Sequence, residues 1–423
     1  MKFDIRIWTK AHLRHLFFSF FELSVFLLKN YKKLKKSKQI FVNTWGFGHS
    51  ITDSLTFLSA YENSLVISIG HAHNRDRTAE RTLAEKKILP LQYSNCEEKC
   101  KNHIVSLLNR LLRIFLSIGS PKLPTIFFDN RVLMNSIVEK TWLRLDSSSQ
   151  ILASSDSSFA NLENAYDEVS SPHFIGHTAA LALPSQSLFP DSKKNANSAC
   201  SRMSSQIVLL NVRKGNSPHH SVSDYYFPVI NYLIKSNFSV LITGDSRYIL
   251  ENPRFQEIGQ KDSILNLSTD ADTNKEVQLK FIQDSLFAVG DQGGTWSLLH
   301  AFHKRGLLIN SIPISHLQFG VMTLPRVWFD ASGSEIENSR DIFGDLFHRN
   351  KSKQVDKGAS IFPIKGNTLM DILLSLEDYI ESNLFLREPK IDPRVLKVTS
   401  HKNFFRFAQH SGYSDIYLRR LKW

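Results

Sequence analysis

Residues 206–215 read QIVLLNVRKG, and residues 285–296 read SLFAVGDQGGTW. Each stretch begins as a short apolar run and ends in glycine, polar or basic residues. Short apolar runs that stop at glycine are typical of strands buried on both faces of a parallel sheet. Because helical patterns lie between them, these stretches predict an α/β fold for this half of the chain.

The same alternation of strand and helix patterns occurs on both sides of a polar segment. Before it, strands are predicted at residues 39–44, 65–69 and 125–128; after it, at 206–212, 239–243, 264–267, 286–289 and 307–310. Residues 185–205 are rich in Ser, Asn, Lys and Asp without an apolar period, as interdomain linkers are. We therefore expect two Rossmann-like doubly wound domains, 39–184 and 206–385, facing a cleft.

Composition and charge narrow the class of protein. The chain has 423 residues, of which 42% are hydrophobic, which excludes a wholly disordered chain and suits two domains. The net charge is +12, with +8 in residues 1–38 and +6 in the basic C-terminal segment 386–423, which leaves −2 for residues 39–385. A nucleic-acid-binding protein needs a basic body, so no nucleic-acid partner is expected. The three cysteines form no disulfide framework, which favours the reducing cytoplasm.

The N-terminal segment, residues 1–38, joins an apolar run to a group of lysines. The run LFFSFFELSVFLL at residues 16–28 is shorter than the roughly 20 residues that a membrane-spanning helix needs. We expect an amphipathic helix bound peripherally to the inner face of the cytoplasmic membrane by Phe17, Phe18, Phe20, Phe21 and the lysines. The alternative is an ordinary helix packed on the body of the protein.

The loop after the predicted strand 286–289 is a candidate phosphate site. Glycine lets a ligand approach the backbone, and a helix N-terminus presents free N–H groups to an anion. The candidate donor-binding residues of this loop are Gly290, Gln292, Gly293, Gly294 and Thr295. The alternative is a glycine-rich turn that only permits tight packing.

Arg213 follows the first strand of the second domain. A side chain at this end of a parallel strand lies where doubly wound sheets bind ligands. Its guanidinium has the shape to bind a diphosphate by two hydrogen bonds. The alternative is an ordinary surface ion pair.

The first domain supplies the candidate general base. Residues 45–50, WGFGHS, follow its first predicted strand, and Gly46 and Gly48 would shape an acceptor-side loop. His49 is the first candidate for the base, and Asp53 is the second. Alternatively, His49 caps a helix or lies on the surface, and Asp53 is a charge in the first helical turn.

Asp270 and Asp272 form a DxD pattern that could hold a divalent cation. However, Thr273 and Glu276 have the spacing of a capping box, which accounts for acidic residues at a helix start without a metal. We expect neither a metal nor a cofactor.

Five blocks in the second half carry a resemblance to a known family: Asn211–Arg213, Asp224–Leu233, Val240–Asp245, Ser285–Gly294 and Asn310–Pro313. In these blocks the chain resembles the GT-B glycosyltransferases, and more closely a group found with bacterial surface-polysaccharide genes. The resemblance implies a GT-B-like fold and adds Lys214, Gly244, Asp245 and Asn310 to the donor-binding residues. The chain departs from the group at Lys214, where the group has an acidic residue, and in the sequence of the 290–294 loop.

The resemblance also implies a reaction: transfer of a sugar from a nucleotide-sugar donor to a glycan or lipid-linked acceptor. Negative charge would grow on the departing diphosphate, and Arg213, Lys214 and the N–H groups of residues 293–295 would stabilise it without a metal. Domain closure would exclude water. Two rival functions use the same features: ketal pyruvyl transfer from phosphoenolpyruvate to a sugar, and a non-catalytic membrane-associated scaffold.

Overall fold

The computed structural model describes residues 10–43, 54, 57–58, 63–71, 88–93, 107–108, 110–112, 114, 125–128, 206–213, 223–245, 247–258, 264–266, 281–293, 295–302, 304–312, 314–318, 320–347, 364–401, 405 and 411–423. The chain divides into two compact units, Met1–Ser148 and Ser149–Trp423. The predicted linker, 185–205, lies outside the described residues.

The first unit contains a parallel four-stranded sheet. Its elements are α1 (Lys10–Lys36), β1 (Gln39–Asn43), β2 (Ser64–His71), β3 (Ile88–Tyr93) and β4 (Thr125–Phe128). The strand order is β3-β2-β1-β4. The sequence pattern predicts β1, β2 and β4 but misses β3, because Pro90 interrupts its apolar run. Proline is tolerated there because β3 lies at an edge of the sheet, where one side of the strand needs no hydrogen-bond donors.

Helix α1 packs on this sheet along one of its faces. Leu23, Phe26, Leu27 and Leu34 are buried in a cluster that also contains Ile40 and other strand residues. One side of the helix is therefore packed on the body of its unit. Among the described helices, none has the length and apolar character to cross a membrane.

The second unit is built on a seven-stranded sheet. Its strands are β5 (Ile207–Val212), β6 (Ser239–Gly244), β7 (Ile264–Asn266), β8 (Phe287–Asp291), β9 (Arg305–Ser311), β10 (Val321–Pro325) and β13 (Gly412–Tyr413), and a separate antiparallel pair is formed by β11 (Val327–Trp328) and β12 (Ile364–Lys365). Its helices are α2 (Ser223–Lys235), α3 (Arg247–Leu250), α4 (Thr295–Ala301), α5 (Ser339–Phe343), α6 (Leu369–Glu381), α7 (Pro393–Val398) and α8 (Asp415–Arg419).

The order of the large sheet is β13-β10-β9-β8-β5-β6-β7, with every neighbouring pair parallel. Read from β7 to β10, this is the doubly wound Rossmann order, which reverses direction between β5 and β8. The α/β class and the doubly wound topology predicted from the sequence are therefore confirmed. Doubly wound sheets bind ligands at the carboxyl ends of the two strands that flank the reversal.

The C-terminal segment contributes to this second sheet. Gly412 and Tyr413 pair with Met322 and Thr323 of β10, which makes β13 an edge strand. Neither β10 nor β13 is predicted by the sequence pattern. Strand β10 ends in Pro325, and β13 has two residues, so neither gives a recognisable apolar run.

Candidate functional site

The predicted donor residues that the structure describes lie at or directly after the carboxyl ends of neighbouring strands of the second sheet. Val212 pairs with Gly244 of β6, and Asn211 pairs with Gly290 of β8. Arg213 follows β5 and Gln292 follows β8, so both lie at the point where the strand order reverses. The sheet register thus brings together residues that are about 80 positions apart in the chain.

The Arg213 side chain is half-buried, and it bonds to the backbone of the neighbouring loop. Its Nη1 donates a hydrogen bond of 2.9 Å to the carbonyl oxygen of Gln292. Among the described residues this carbonyl is the only hydrogen-bond partner of the guanidinium, and no carboxylate pairs with it. The surface ion pair expected by the alternative interpretation is thus not found among those residues. A guanidinium placed in this way keeps N–H donors for an anionic ligand.

Two of the predicted glycines are required by the sheet itself. Gly290 has a φ of +136°, and a Cβ there would lie 2.2 Å from the carbonyl oxygen of Asn211 on the adjacent strand. Gly244 has a φ of +78°, and its Cβ would lie 2.3 Å from the carbonyl oxygen of Val212. Both positions need glycine for backbone conformation and close strand approach, whether or not a ligand binds. This matches the tight-packing alternative for these two residues.

Gly293 is different because its missing side chain makes room for Arg213. Its backbone conformation is open to other residues, but a Cβ would lie 3.2 Å from Cδ of Arg213 and 3.1 Å from Nδ2 of Asn211. A side chain at this position would therefore press on the arginine. Gly293 also begins the turn into α4, since its carbonyl accepts a 3.1 Å hydrogen bond from the amide of Trp296.

Asp291 is fully buried at the end of β8, and the sequence analysis does not select it as a site residue. Its carboxylate Oδ2 accepts a hydrogen bond from the hydroxyl of Tyr226 on α2. Its backbone carbonyl accepts from Nδ2 of Asn211 at 2.6 Å and from Nε1 of Trp296 at 2.8 Å. These bonds tie α2, β5 and α4 to the end of β8, and so hold the backbone on both sides of Arg213.

The buried Arg326 interacts electrostatically with Asp291, and it is another residue that the sequence analysis does not select. Arg326 follows β10 and is buried. Burial lowers the pKa of its guanidinium, while the charges of Asp291 and Tyr226 act in the opposite direction. A buried carboxylate is stabilised by a nearby cation, so this arrangement explains how Asp291 is accommodated in the interior. The interaction joins residues that are far apart in the chain, so a single sequence gives no indication of it.

Asn310 lies at the same edge but serves a packing role. It is buried, has a φ of +54°, and its Oδ1 accepts hydrogen bonds from the backbone N and from Nδ2 of Asn367 at 2.8 and 2.9 Å. These bonds account for an asparagine at this position without a ligand. Asp245, by contrast, is exposed, and its amide closes the turn after β6 by donating to the Val212 carbonyl at 2.9 Å.

The side chain of Gln292 leads away from Arg213 to a second polar group. Its Nε2 lies 3.3 Å from Nδ1 of His316, whose Nε2 lies 2.7 Å from Nε2 of Gln318. A neutral imidazole has one donor and one acceptor nitrogen, so one of the two amides must face the ring with its oxygen. The contact fixes Gln292 against the 314–318 loop, while Thr295 begins α4 as a half-buried residue.

The remaining predicted residues lie outside the described residues: His49, Asp53, Gly46, Gly48, Lys214 and Gly294, together with Asp270 and Asp272. Their proposed roles stay predictions.

Comparison with known proteins finds similarity in architecture. No protein-family model matches the chain, and no curated protein matches it by sequence. The solved structures that it resembles include a glycosyl transferase family 9 protein from Veillonella parvula, at 10% identity over 83% of this chain and 98% of that one, with a TM-score of 0.44. They also include two E. coli enzymes: ADP-heptose LPS heptosyltransferase II, at 13% identity and a TM-score of 0.39, and heptosyltransferase WaaC with ADP, at 11% and 0.36. Each match covers 68% of this chain and 90% of the other.

At 10–13% identity, the chemistry of this chain has to be inferred from its own residues at the edge of the second sheet.

Proposed function

We propose that this protein is a metal-independent glycosyltransferase. It moves a sugar from a nucleotide-sugar donor to a glycan or lipid-linked acceptor in surface-polysaccharide biosynthesis. The observation that carries the proposal is the position of Arg213: a half-buried guanidinium at the reversal of a doubly wound sheet, bonded among the described residues only to a backbone carbonyl.

The diphosphate of the donor is the group that fits this position. A guanidinium binds two phosphate oxygens through parallel hydrogen bonds, and it keeps its charge at any physiological pH. When the bond from sugar to phosphate breaks, negative charge grows on the diphosphate, so the same contacts are stronger in the transition state than in the bound donor. Lys214 and the backbone amides of residues 293–295 complete the proposed site.

The surroundings of Arg213 support this role because they are held in place before any ligand binds. The Gln292 carbonyl that accepts from Arg213 follows Asp291 directly, and Asp291 is tied to Tyr226, Asn211 and Trp296. A site of this kind loses little free energy to reorganisation when charge develops. A scaffold without catalytic function would not need such an arrangement around an arginine that has no carboxylate partner in the part of the chain that the structure describes.

The proposal is tested by a thermal-shift screen of the full chain against UDP-, GDP- and ADP-sugars, with phosphoenolpyruvate as the competing donor. A ligand at 100 times its dissociation constant adds about 2.7 kcal/mol of stability, which is a measurable rise in the melting temperature. We expect a nucleotide sugar to stabilise the protein and to release nucleoside diphosphate when an acceptor is added. Stabilisation by phosphoenolpyruvate alone would favour pyruvyl transfer, and no stabilisation by any donor would contradict both enzymes.

For the base, we propose His49, with Asp53 as the second candidate. Replacing a base on the acceptor side should leave donor binding intact and slow the transfer, because general base catalysis contributes about 100- to 10,000-fold. We therefore expect His49→Ala to bind the nucleotide sugar as tightly as the wild type while its transfer rate falls by at least 100-fold. Asp53→Asn is the companion variant: if it alone abolishes transfer, the base is Asp53. An unchanged rate in both variants would contradict the assignment.

A further inference from the structure

Helix α1 has a second apolar line besides the one that packs on the first sheet. Leu23, Leu27 and Leu34 form the buried line. Phe17, Phe21 and Leu28 repeat the same spacing six positions earlier, and their side chains are 71%, 61% and 64% exposed. At 100° per residue, the two lines lie about 120° apart around the helix. We call Phe17, Phe21 and Leu28 the apolar stripe.

Lysines follow the apolar stripe along the same line of the helix. Lys32 and Lys35 lie four and seven residues beyond Leu28, so they continue the same line of the helix. All the lysines of this region are exposed: Lys29, Lys32, Lys33, Lys35, Lys36 and Lys38. No acidic residue occurs between Glu22 and Asp53 to offset them. One surface of α1 therefore carries exposed apolar side chains at Phe17, Phe21 and Leu28 and exposed lysines beyond them.

The combination of exposed apolar side chains and lysines indicates what kind of partner this surface binds. Aromatic side chains beside a group of lysines suit a bilayer with anionic headgroups, in which the rings enter the acyl boundary and the ammonium groups stay at the headgroups. A second copy of the chain fits poorly. A parallel pairing of two stripes would bring the lysines together, and an antiparallel pairing would place lysines against phenylalanines.

We infer that the apolar stripe and the lysines of residues 29–38 form a docking surface for an anionic membrane. The helix lies along the bilayer surface by this face while Leu23, Leu27 and Leu34 keep it attached to the first sheet. The inference is independent of the donor site, because it concerns only the first unit.

The test is co-sedimentation of the full chain with vesicles of phosphatidylcholine, with and without phosphatidylglycerol. We expect binding to the anionic vesicles that weakens as salt is raised. Phe17→Ser/Phe21→Ser/Leu28→Ser should lower the partition coefficient at least tenfold, since it removes three apolar side chains that are already exposed. Lys32→Gln/Lys35→Gln/Lys36→Gln should lower it roughly 100-fold and reduce the salt dependence.

Matched controls come from the second unit, which contains exposed residues of the same types. Met370→Ser/Leu374→Ser/Leu386→Ser and Lys235→Gln/Lys390→Gln/Lys397→Gln change the same number of apolar groups and charges and should bind like the wild type. Equal binding by the stripe variant and the wild type would overturn the inference, as would equal losses in the controls. A wild type that dimerises without lipid, paired with a monomeric stripe variant, would overturn it as well and assign the stripe to self-association.

Discussion

At the scale of single residues, the fully buried Asp291 carries a large expected effect on stability. Asp291→Asn keeps the shape of the side chain but removes the negative charge that accepts from Tyr226 and favours the charged form of the buried Arg326. Loss of a charged acceptor of a buried hydrogen bond costs about 1.5–3 kcal/mol. We expect that loss in the free energy of unfolding measured by urea denaturation, whereas Asn in place of the exposed Asp345 should change it by less than about 0.5 kcal/mol.

The hydroxyl of Tyr226 allows the same network to be tested from the other side. Tyr226→Phe removes one hydrogen bond to a charged acceptor, which is worth about 1.5–3 kcal/mol. The double variant with Asp291→Asn should lose less stability than the two single variants together, because both single changes remove the same hydrogen bond. Tyr225→Phe, at the adjacent half-buried position, is the control. Strict additivity in the cycle would mean that the hydroxyl and the carboxylate do not interact.

A side chain at position 293 would displace Arg213 and should therefore weaken ligand binding. In Gly293→Ala, the new Cβ would lie 3.2 Å from Cδ of Arg213, so the arginine side chain has to move by a few tenths of an ångström. We expect weaker binding of the nucleotide sugar in calorimetry with little change in melting temperature, because the backbone conformation at 293 suits alanine. Unchanged affinity would show that the position of Arg213 does not limit donor binding.

At the scale of elements, the N-terminus of α6 is stabilised by hydrogen bonds and an ion pair of its capping residues. Thr368 caps the helix: its Oγ1 accepts from the amide of Asp371 at 3.2 Å, and Oδ2 of Asp371 accepts from the amide of Thr368 at 2.9 Å. Arg420 adds an ion pair to the same carboxylate. Burial alone would raise the pKa of Asp371, but the hydrogen bonds from Arg420 and Thr368 outweigh it and lower the pKa below its ordinary value.

This sign predicts a pH dependence. A carboxyl group with a lowered pKa in the folded state stabilises the protein above the unfolded value of about 3.9, and this contribution is lost as the pH falls through the lower folded value. Asp371→Asn should therefore be less stable than the wild type by about 1 kcal/mol at neutral pH, and the difference should close in acid. Asp341→Asn, at an exposed residue in α5, should follow the wild type at every pH. A difference that persisted unchanged in acid would contradict the mechanism.

The elements also show which part of the fold one sequence predicts. Strands β5 and β8 are predicted because a strand buried on both faces needs an apolar run, and residues 207–210 and 287–289 supply it. Strands β3 and β10 are missed because each contains a proline, and β13 because its two residues pair with a strand that is far away in sequence. Their stability comes from neighbouring strands and not from local pattern.

At the scale of the whole molecule, the candidate site also has one part that the sequence predicts and another that depends on contacts between distant elements. The position of Arg213 beside the 290–295 loop follows from topology, since both lie at the carboxyl ends of strands that meet where the order reverses. The roles of Asp291, Tyr226 and Arg326 do not follow, because they arise from contacts between α2, β8 and the end of β10. For Asn310, the pattern indicates the correct edge but not that Asn367 occupies its amide oxygen.

The lysines proposed to bind a membrane and the arginine proposed to bind the donor belong to different units of the chain. The excess positive charge lies near the two ends of the sequence, while residues 39–385 are close to neutral. The lysines that follow the apolar stripe belong to the first unit, and Arg213 belongs to the second. Membrane docking and donor binding should therefore respond to different variants: the stripe variant should bind donor normally, and an Arg213 variant should bind vesicles normally.

The central claim is that Arg213 holds the donor diphosphate, and calorimetric titration of UDP, GDP and ADP tests it most directly. Loss of a hydrogen bond to a charged group costs about 1.5–3 kcal/mol, so Arg213→Ala should weaken binding of the preferred nucleotide roughly 10- to 150-fold. Arg254→Ala is the control, because Arg254 is exposed and already paired with Asp224 at 3.1 Å. The account predicts wild-type affinity for Arg254→Ala and the large loss for Arg213→Ala. Equal affinity of Arg213→Ala and the wild type would place the diphosphate elsewhere and contradict the account.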